Sequence, residues 1–301
     1  MLLRKAVFGK FISVVVLAVS IGGLFGWAWF ANSQAKEQPQ TEAEPGVESE
    51  AYVLAKGDYS NLTGENLSVD KPVYDRYTLK QRQAKGLPAM LPALPHYNKE
   101  KIAYLTFDDG PDDVNTPAIL DVLKAHGIHA TFYVLGTMAE KHPEVLKRIF
   151  TEGHAIGSHS YDHNYQALYQ SKDTFIAQMQ HTDEVIFNIL GVRPFIIRAP
   201  GGTVGMFTGD YYEALNLLGY VEHDWNVLTE DATPECPSAE EQIHYVDVRT
   251  HGSLKDNMAL ILMHCNSGKE ETVRALPGII ATLKAKGYRF GVVSPITPQP
   301  W

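Results

Sequence analysis

From about residue 100 onward, short apolar runs rich in β-branched and aromatic residues alternate with stretches of helical period. The apolar runs predict strands over 101–107, 130–135, 154–158, 195–198, 220–227, 258–263 and 288–293. Between them, the spacing predicts helices over 116–126, 143–152, 172–190 and 272–286. Gly127, Gly153 and Gly287 directly follow three of these helices, where a glycine closes the last turn. This βα alternation predicts a parallel sheet, closed or nearly closed into a barrel. Residues 51–98 carry scattered Tyr and Leu with no sustained period, and no element is predicted there.

The longest uncharged stretch lies at the N-terminus. Arg4, Lys5 and Lys10 precede residues 11–31, which contain no charge and are long enough to span a bilayer as a helix. Positive charge before the span places the N-terminus inside and the rest of the chain outside. Trp27, Trp29 and Phe30 cluster at the far end, as interfacial aromatics do. The predicted order is a basic cytoplasmic tip (1–10), a single-pass membrane anchor (11–31), an extracytoplasmic acidic linker with a pre-domain segment (32–98), and the alternating domain (99–297). A cleaved signal peptide ending near "SQA" (33–35) is the other reading and gives a secreted protein. In both, the body of the chain leaves the cytoplasm.

Net charge is −9, and no basic run occurs outside the N-terminal tip. That balance argues against a nucleic-acid partner, which needs clustered Lys and Arg. Two cysteines do not make a thiolate metal site or a disulfide scaffold. A monomer is expected.

In a parallel α/β barrel, chemistry gathers at the C-terminal ends of the strands. Read in order, those ends carry Asp108 and Asp109 in "TFDDGP", His159 and His163 in "HSYDH", Arg198 in "RAPGG", Asp224 and Asp231 in "DWNVLTEDA", and His264 in "LMH". Each piece alone has a structural reading: a Gly-Pro turn, an incidental histidine pair, a core histidine, an ion pair. Together, two histidines and a carboxylate on one rim match a three-ligand set for catalytic zinc that leaves a position for water. Neighbours at a strand end point to opposite faces, so Asp108 and Asp109 are expected to diverge and serve different clients.

These five motifs, with the closing stretch "KEETVRALPGIIATLKAKGYRF", resemble the polysaccharide deacetylases, the carbohydrate esterase family 4 group with the NodB homology domain. The resemblance covers residues 100–295. It implies a distorted (β/α)7 barrel and metal-dependent removal of N-acetyl groups from GlcNAc- or MurNAc-containing polymers of the cell wall or surface, such as peptidoglycan or chitin. It implies Asp109, His159 and His163 as metal ligands, with Zn2+ the expected ion and Co2+ or Ni2+ as alternatives. It implies Asp108 as base, Arg198 as the residue orienting it, His264 as acid and Asp231 as the carboxylate tuning that acid, with Asp224 in reserve. Gly201 would offer a backbone N–H to the oxyanion, Leu262 would line the acetyl methyl, and Trp225 is assigned to substrate binding. Amide hydrolysis asks for this set: an activated water, a base, an oxyanion donor and a proton for the leaving amine. An O-acetyl esterase of the xylan type, and a non-catalytic glycan-binding wall protein of the same fold, are the competing readings.

Three positions depart from the family pattern. Cys265 stands where Asp is usual, Leu228 replaces an acid, and Ala232 replaces an aromatic groove wall. Cys236 and Cys265 are expected near one rim outside the cell, which raises a disulfide as one expectation and two free thiols as the other.

Overall fold

The computed structural model describes residues 51–95, 100–252 and 254–300. The expected anchor at 11–31, the tip before it and the spacer up to residue 50 lie outside the described residues. Among the described residues, no helix is long and apolar enough to cross a membrane.

In chain order the strands are β1 (Val53–Ala55), β2 (Val73–Asp75), β3 (Ile102–Asp108), β4 (Thr131–Val134), β5 (Ala155–Ser158), β6 (Arg193–Pro194), β7 (Ile196–Ile197), β8 (Val221–Glu222), β9 (Val227–Leu228), β10 (Met258–His264) and β11 (Arg289–Gly291). The helices are α1 (Leu79–Ala84), α2 (Asn115–His126), α3 (Gly136–Lys141), α4 (Pro143–Thr151), α5 (Tyr165–Leu168), α6 (Lys172–Leu190), α7 (Gly209–Leu217), α8 (Ala239–Arg249) and α9 (Glu270–Ala285).

β3 reads "IAYLTFD" and is buried at every position. A near-continuous apolar run is what a parallel strand covered on both faces requires. Its residues still divide by a period of two. Ala103, Leu105 and Phe107 pack outward with Ile119 of α2 and Ile280 of α9. Ile102 and Tyr104 pack inward with Leu260, Val292 and Val293. β10 divides the same way, with Ile261 and Met263 outward and Met258 and Leu260 inward. Each such side chain contributes roughly 1.5–3 kcal/mol on burial. The inward rows continue through Thr106 to Asp108 on β3 and through Leu262 to His264 on β10, and Asp108 and His264 are register partners. Strand periodicity thus delivers both residues to one end of the sheet.

The main sheet runs β8-β7-β5-β4-β3-β10-β9, and every ladder in it is parallel. β10 covers one edge of β3 along its whole length, while β11 and β4 share the other. The expected closure into a barrel is corrected to a half-barrel. The run 220–227, read as one strand, is two: β8 and β9 stand at opposite ends of the sheet, joined only by His223–Asn226. No ladder joins β8 to β9 among the described residues. Asn226 anchors the far side of the break. Its side chain donates to Met258 O and accepts from Leu260 N, and its own N–H donates to Leu260 O, so one residue satisfies the edge of β10 just ahead of β9.

Residues 51–95 are not a separate linker. The described residues from 51 to 300 belong to one compact unit, so residues 51–95 pack with the expected domain rather than standing apart from it. β1 and β2 pair in parallel, and β2 pairs antiparallel with β6. The Tyr74 hydroxyl donates to His154 O and accepts from Ile156 N, tying β2 to β5. Asp75, fully buried, accepts from Arg82 Nε and Nη2 and from Arg193 Nη2 at 3.0 Å. A buried carboxylate between two buried guanidiniums is tolerable only when the charges are paired in this way.

Candidate active site

Asp108 ends β3 on its inner face and is 2% exposed. Arg198, fully buried just past β7, donates from Nη1 to Asp108 Oδ1 at 3.0 Å and to Thr106 Oγ1 at 2.6 Å. Its other nitrogens are spent on His223 O and Asp224 O, and its guanidinium lies 4.3 Å from the Tyr133 ring centroid. The arginine is therefore fixed, and it leaves Asp108 Oδ2 facing the histidines. Burial raises the Asp108 pKa, and the nearby Arg198 and His264 charges offset this only in part.

Asp108 and Asp109 do not diverge as neighbours on a strand would. Asp109 has φ 71°, a left-handed backbone that Asp tolerates better than most residues. The turn brings its carboxylate back beside that of Asp108. His159 Nε2 lies 3.7 Å from Asp108 Oδ2 and 3.6 Å from Asp109 Oδ1, and His163 Nε2 lies 3.4 Å from Asp109 Oδ1.

The fit of a metal here rests on four facts. The ligand atoms of Asp109, His159 and His163 all lie within 4.8 Å of one another. Their contacts of 3.4 and 3.6 Å are too long for good hydrogen bonds. They match the separation of about 3.4 Å between tetrahedral ligands each about 2.1 Å from zinc. Asp109 Oδ1 is buried without a hydrogen-bond partner among the described residues. The His159 tautomer also suits: Nδ1 sits 2.9 Å from Arg198 O, a carbonyl that can only accept, so Nδ1 carries the proton and Nε2 the lone pair. Burial lowers the His159 pKa to about 3 and keeps the ring neutral.

His264 closes β10 across from Asp108. Its Nδ1 is 2.8 Å from Asp231 Oδ1, and its backbone N–H donates to Asp231 Oδ2. Thr272 Oγ1 and Lys269 Nζ also donate to Asp231, at Oδ2 and at the backbone O. Burial disfavours a charged His264, but the hydrogen bond and charge of Asp231, with Asp108 and Asp109 beyond, outweigh it and raise the pKa. Asp231 answers in the opposite sense: burial pushes it up, its bonds to His264 pull it further down, and the net shift is downward.

The reserve candidate Asp224 is not at His264. Both its oxygens accept from Thr203 N, and Oδ2 also accepts from Thr203 Oγ1. It clamps the loop after Arg198 instead. On that loop Gly201 is exposed with φ 76°, and its N–H donates to no acceptor among the described residues. Leu262 lies on the inner face of β10, two residues before His264. Trp225 is half-buried against the inner cluster, beside Gly202.

Of the two expectations for the cysteines, the structure has the free thiols: Cys236 and Cys265 are both unpaired. Cys265 follows His264 on the opposite face of β10, buried in the outer core, where its thiol donates to Asp108 O at 3.5 Å. Cys236 is only partly buried, in the loop before α8. The acid usual at position 265 would thus point away from the inward row that ends in His264. Thr106, Tyr133, Thr203, Lys269 and Thr272 escaped the sequence reading. Only Thr106 carried a signal, two residues before Asp108 on the same face.

The described residues thus form a half-barrel of parallel strands with an Asp-His-His cluster on one rim, an arginine-held carboxylate and a carboxylate-held histidine, a set of groups suited to hydrolytic chemistry. The sequence profile of the polysaccharide deacetylase family matches residues 96–223. A putative polysaccharide deacetylase of Bacillus subtilis, YheN, is 34% identical over 202 residues, covering 64% of this chain and 67% of that one. A peptidoglycan-N-acetylglucosamine deacetylase of Bacillus cereus is 37% identical over 198 residues, covering 64% and 67%. The solved structure of a Streptococcus mutans CE4 esterase superposes with a TM-score of 0.61 at 32% identity, covering 70% of this chain and 94% of that one. The chain belongs to the polysaccharide deacetylase family and is an enzyme of that class.

Proposed function

We propose that the chain removes N-acetyl groups from GlcNAc- or MurNAc-containing glycan, with peptidoglycan as the leading substrate, and that it does so as a metal-dependent hydrolase. The observation that carries this is the convergence of Asp109, His159 and His163 within 4.8 Å, with Asp108 and His264 in register beside them. The peptidoglycan deacetylase among the relatives supports the substrate. Asp109, His159 and His163 would hold the ion. A divalent metal there, zinc suiting two histidines and a carboxylate, supplies Lewis acidity to the amide carbonyl and to an attacking water.

The chain's own residues do the rest. Asp108 Oδ2, left open by Arg198, takes the proton of the attacking water as its oxygen bonds to the acetyl carbon. The Gly201 N–H offers a hydrogen bond to the acyl oxygen as charge builds there; such a donor is worth about 3–4 kcal/mol in comparable sites. His264, held through Nδ1 by Asp231, presents Nε2–H and gives a proton to the sugar nitrogen as the C–N bond breaks. Leu262 and Trp225 provide apolar surface for the acetyl group and the sugar. The products are acetate and a free amine. The uncharged run 11–31 supports a membrane anchor that would hold this domain outside the cytoplasm, against the wall.

Acetate release from N-acetylated peptidoglycan, chitin oligomers and O-acetylated xylan, with and without chelator, tests the reading. Release from the N-acetylated glycans that stops with chelator and returns with zinc is expected. Release from xylan alone, or release unaffected by chelator, contradicts it.

A further inference from the structure

Tyr165 is a large rim side chain that the chemistry above leaves without a task. It is the first residue of α5 and is 42% exposed. Its ring stands edge-to-face on His163, with centroids 5.1 Å apart at 84°. On another side it meets Gly201: a Cβ placed there would lie 3.0 Å from the Tyr165 Cε1 and hydroxyl. The phenol therefore spans from a proposed metal ligand to the peptide assigned to the acyl oxygen.

The position is held from below. Asn164 caps α5 by accepting from Ala167 N, and Leu168 is buried. Tyr169, one turn on, donates to Pro200 O at 2.6 Å, pinning α5 to the Gly201 loop. Tyr165 itself is left partly open to solvent. Val204 and Met206, three and five residues past Gly201, are exposed as well, at 81% and 43%. An aromatic ring fixed at its base, half-exposed and beside the reacting groups is arranged to bury that area against something in the cleft.

We propose that Tyr165 forms the wall of the sugar subsite, a specificity determinant that rests on the deacetylase reading above. Its ring packs against the C–H face of the acetamido sugar undergoing deacetylation, and its hydroxyl hydrogen-bonds a polar group of that sugar. A pyranose offers this combination, with C–H edges for an electron-rich ring and hydroxyls for the phenol. The rival role is bracing of His163, which a metal measurement separates.

The test uses the full chain, zinc-loaded, on a tetramer of N-acetylglucosamine, with Tyr165→Ala and Tyr165→Phe. KM, kcat and zinc affinity by chelator competition are measured. Tyr165→Ala is expected to raise KM about tenfold with kcat within about twofold, and Tyr165→Phe to raise KM about two- to threefold, both at wild-type zinc affinity, the pattern of lost substrate binding. An unchanged KM in Tyr165→Ala overturns the proposal. So does a loss of zinc affinity in Tyr165→Ala that Tyr165→Phe restores, which makes the ring a brace for His163. If the wild type releases no acetate from this tetramer or from peptidoglycan, the deacetylase reading falls and the subsite with it; an active wild type beside an indifferent Tyr165→Ala removes the subsite alone.

Discussion

The left-handed backbone at Asp109 decides where two adjacent carboxylates face. Strand alternation alone would have sent them to opposite faces. Instead both reach His159, and their partners separate them: Arg198 holds one, and the other carries a buried oxygen with no hydrogen-bond partner among the described residues. Asp108→Asn keeps the shape and the Arg198 contact but removes the basic oxygen. It should lower kcat by about 10²–10⁴-fold, as loss of a general base does, while zinc affinity stays near wild type; kinetics paired with a zinc titration check this. Asp231→Asn tests the proposed acid, His264. A general acid must be protonated, so activity falls as pH rises through the His264 pKa, which Asp231 helps to raise. The variant should move that falling limb to lower pH, measured as kcat/KM across pH. The residues that the fold gathers at one rim were legible because they follow strand ends in order. Thr203, Thr272 and Lys269 were not, since a hydroxyl or amine arriving from a distant loop or helix leaves no local pattern.

Elements were legible in proportion to their length and caps. The helix expected at 172–190 has those bounds, fixed by the Ser171–Thr174 capping pair and by Gly191 at φ 74°. α8 and α1 were missed although Ser238 with Glu241, and Thr78 with Gln81, are readable capping boxes. β7, β8 and β9, of two residues each, are too short to show a period, and the anchor at Asn226 depends on a tertiary partner in β10. β2 was invisible because its worth lies in contacts made far along the chain. Tyr74→Phe tests that. It removes the acceptor for the buried Ile156 N–H and the donor to His154 O. A loss of about 1–3 kcal/mol is expected, seen as a lower urea midpoint with an unchanged slope.

At the scale of the molecule, the family profile begins at residue 96, but the compact unit already includes Ala51, the first described residue. The difference is the segment that supplies Tyr74, Asp75 and Arg82. A chain starting at residue 96 loses Asp75, the nearer ion-pair partner of Arg193, and uncovers Phe195 and Ile296, which pack with Leu62, Leu67 and Val73. Exposing a buried apolar side chain costs roughly 1.5–3 kcal/mol, so two are a large share of a typical 5–15 kcal/mol stability. Relative to a chain starting at residue 47, that truncation should melt about 10 °C lower or fail to fold, by thermal circular dichroism.

The run "DWNVLTED" crosses between the two ends of the half-barrel. Asp224 at its start clamps the Gly201 loop, and Asp231 at its end holds His264. One short peptide thus sets both flanks of the cleft, with Asn226 pinned to β10 between them. Such a strap has no slack. A one-residue insertion or deletion anywhere between Asp224 and Asp231 would misplace one flank even if every named side chain survived. In an insertion scan, this run should be among the most intolerant surface-reaching segments of the chain.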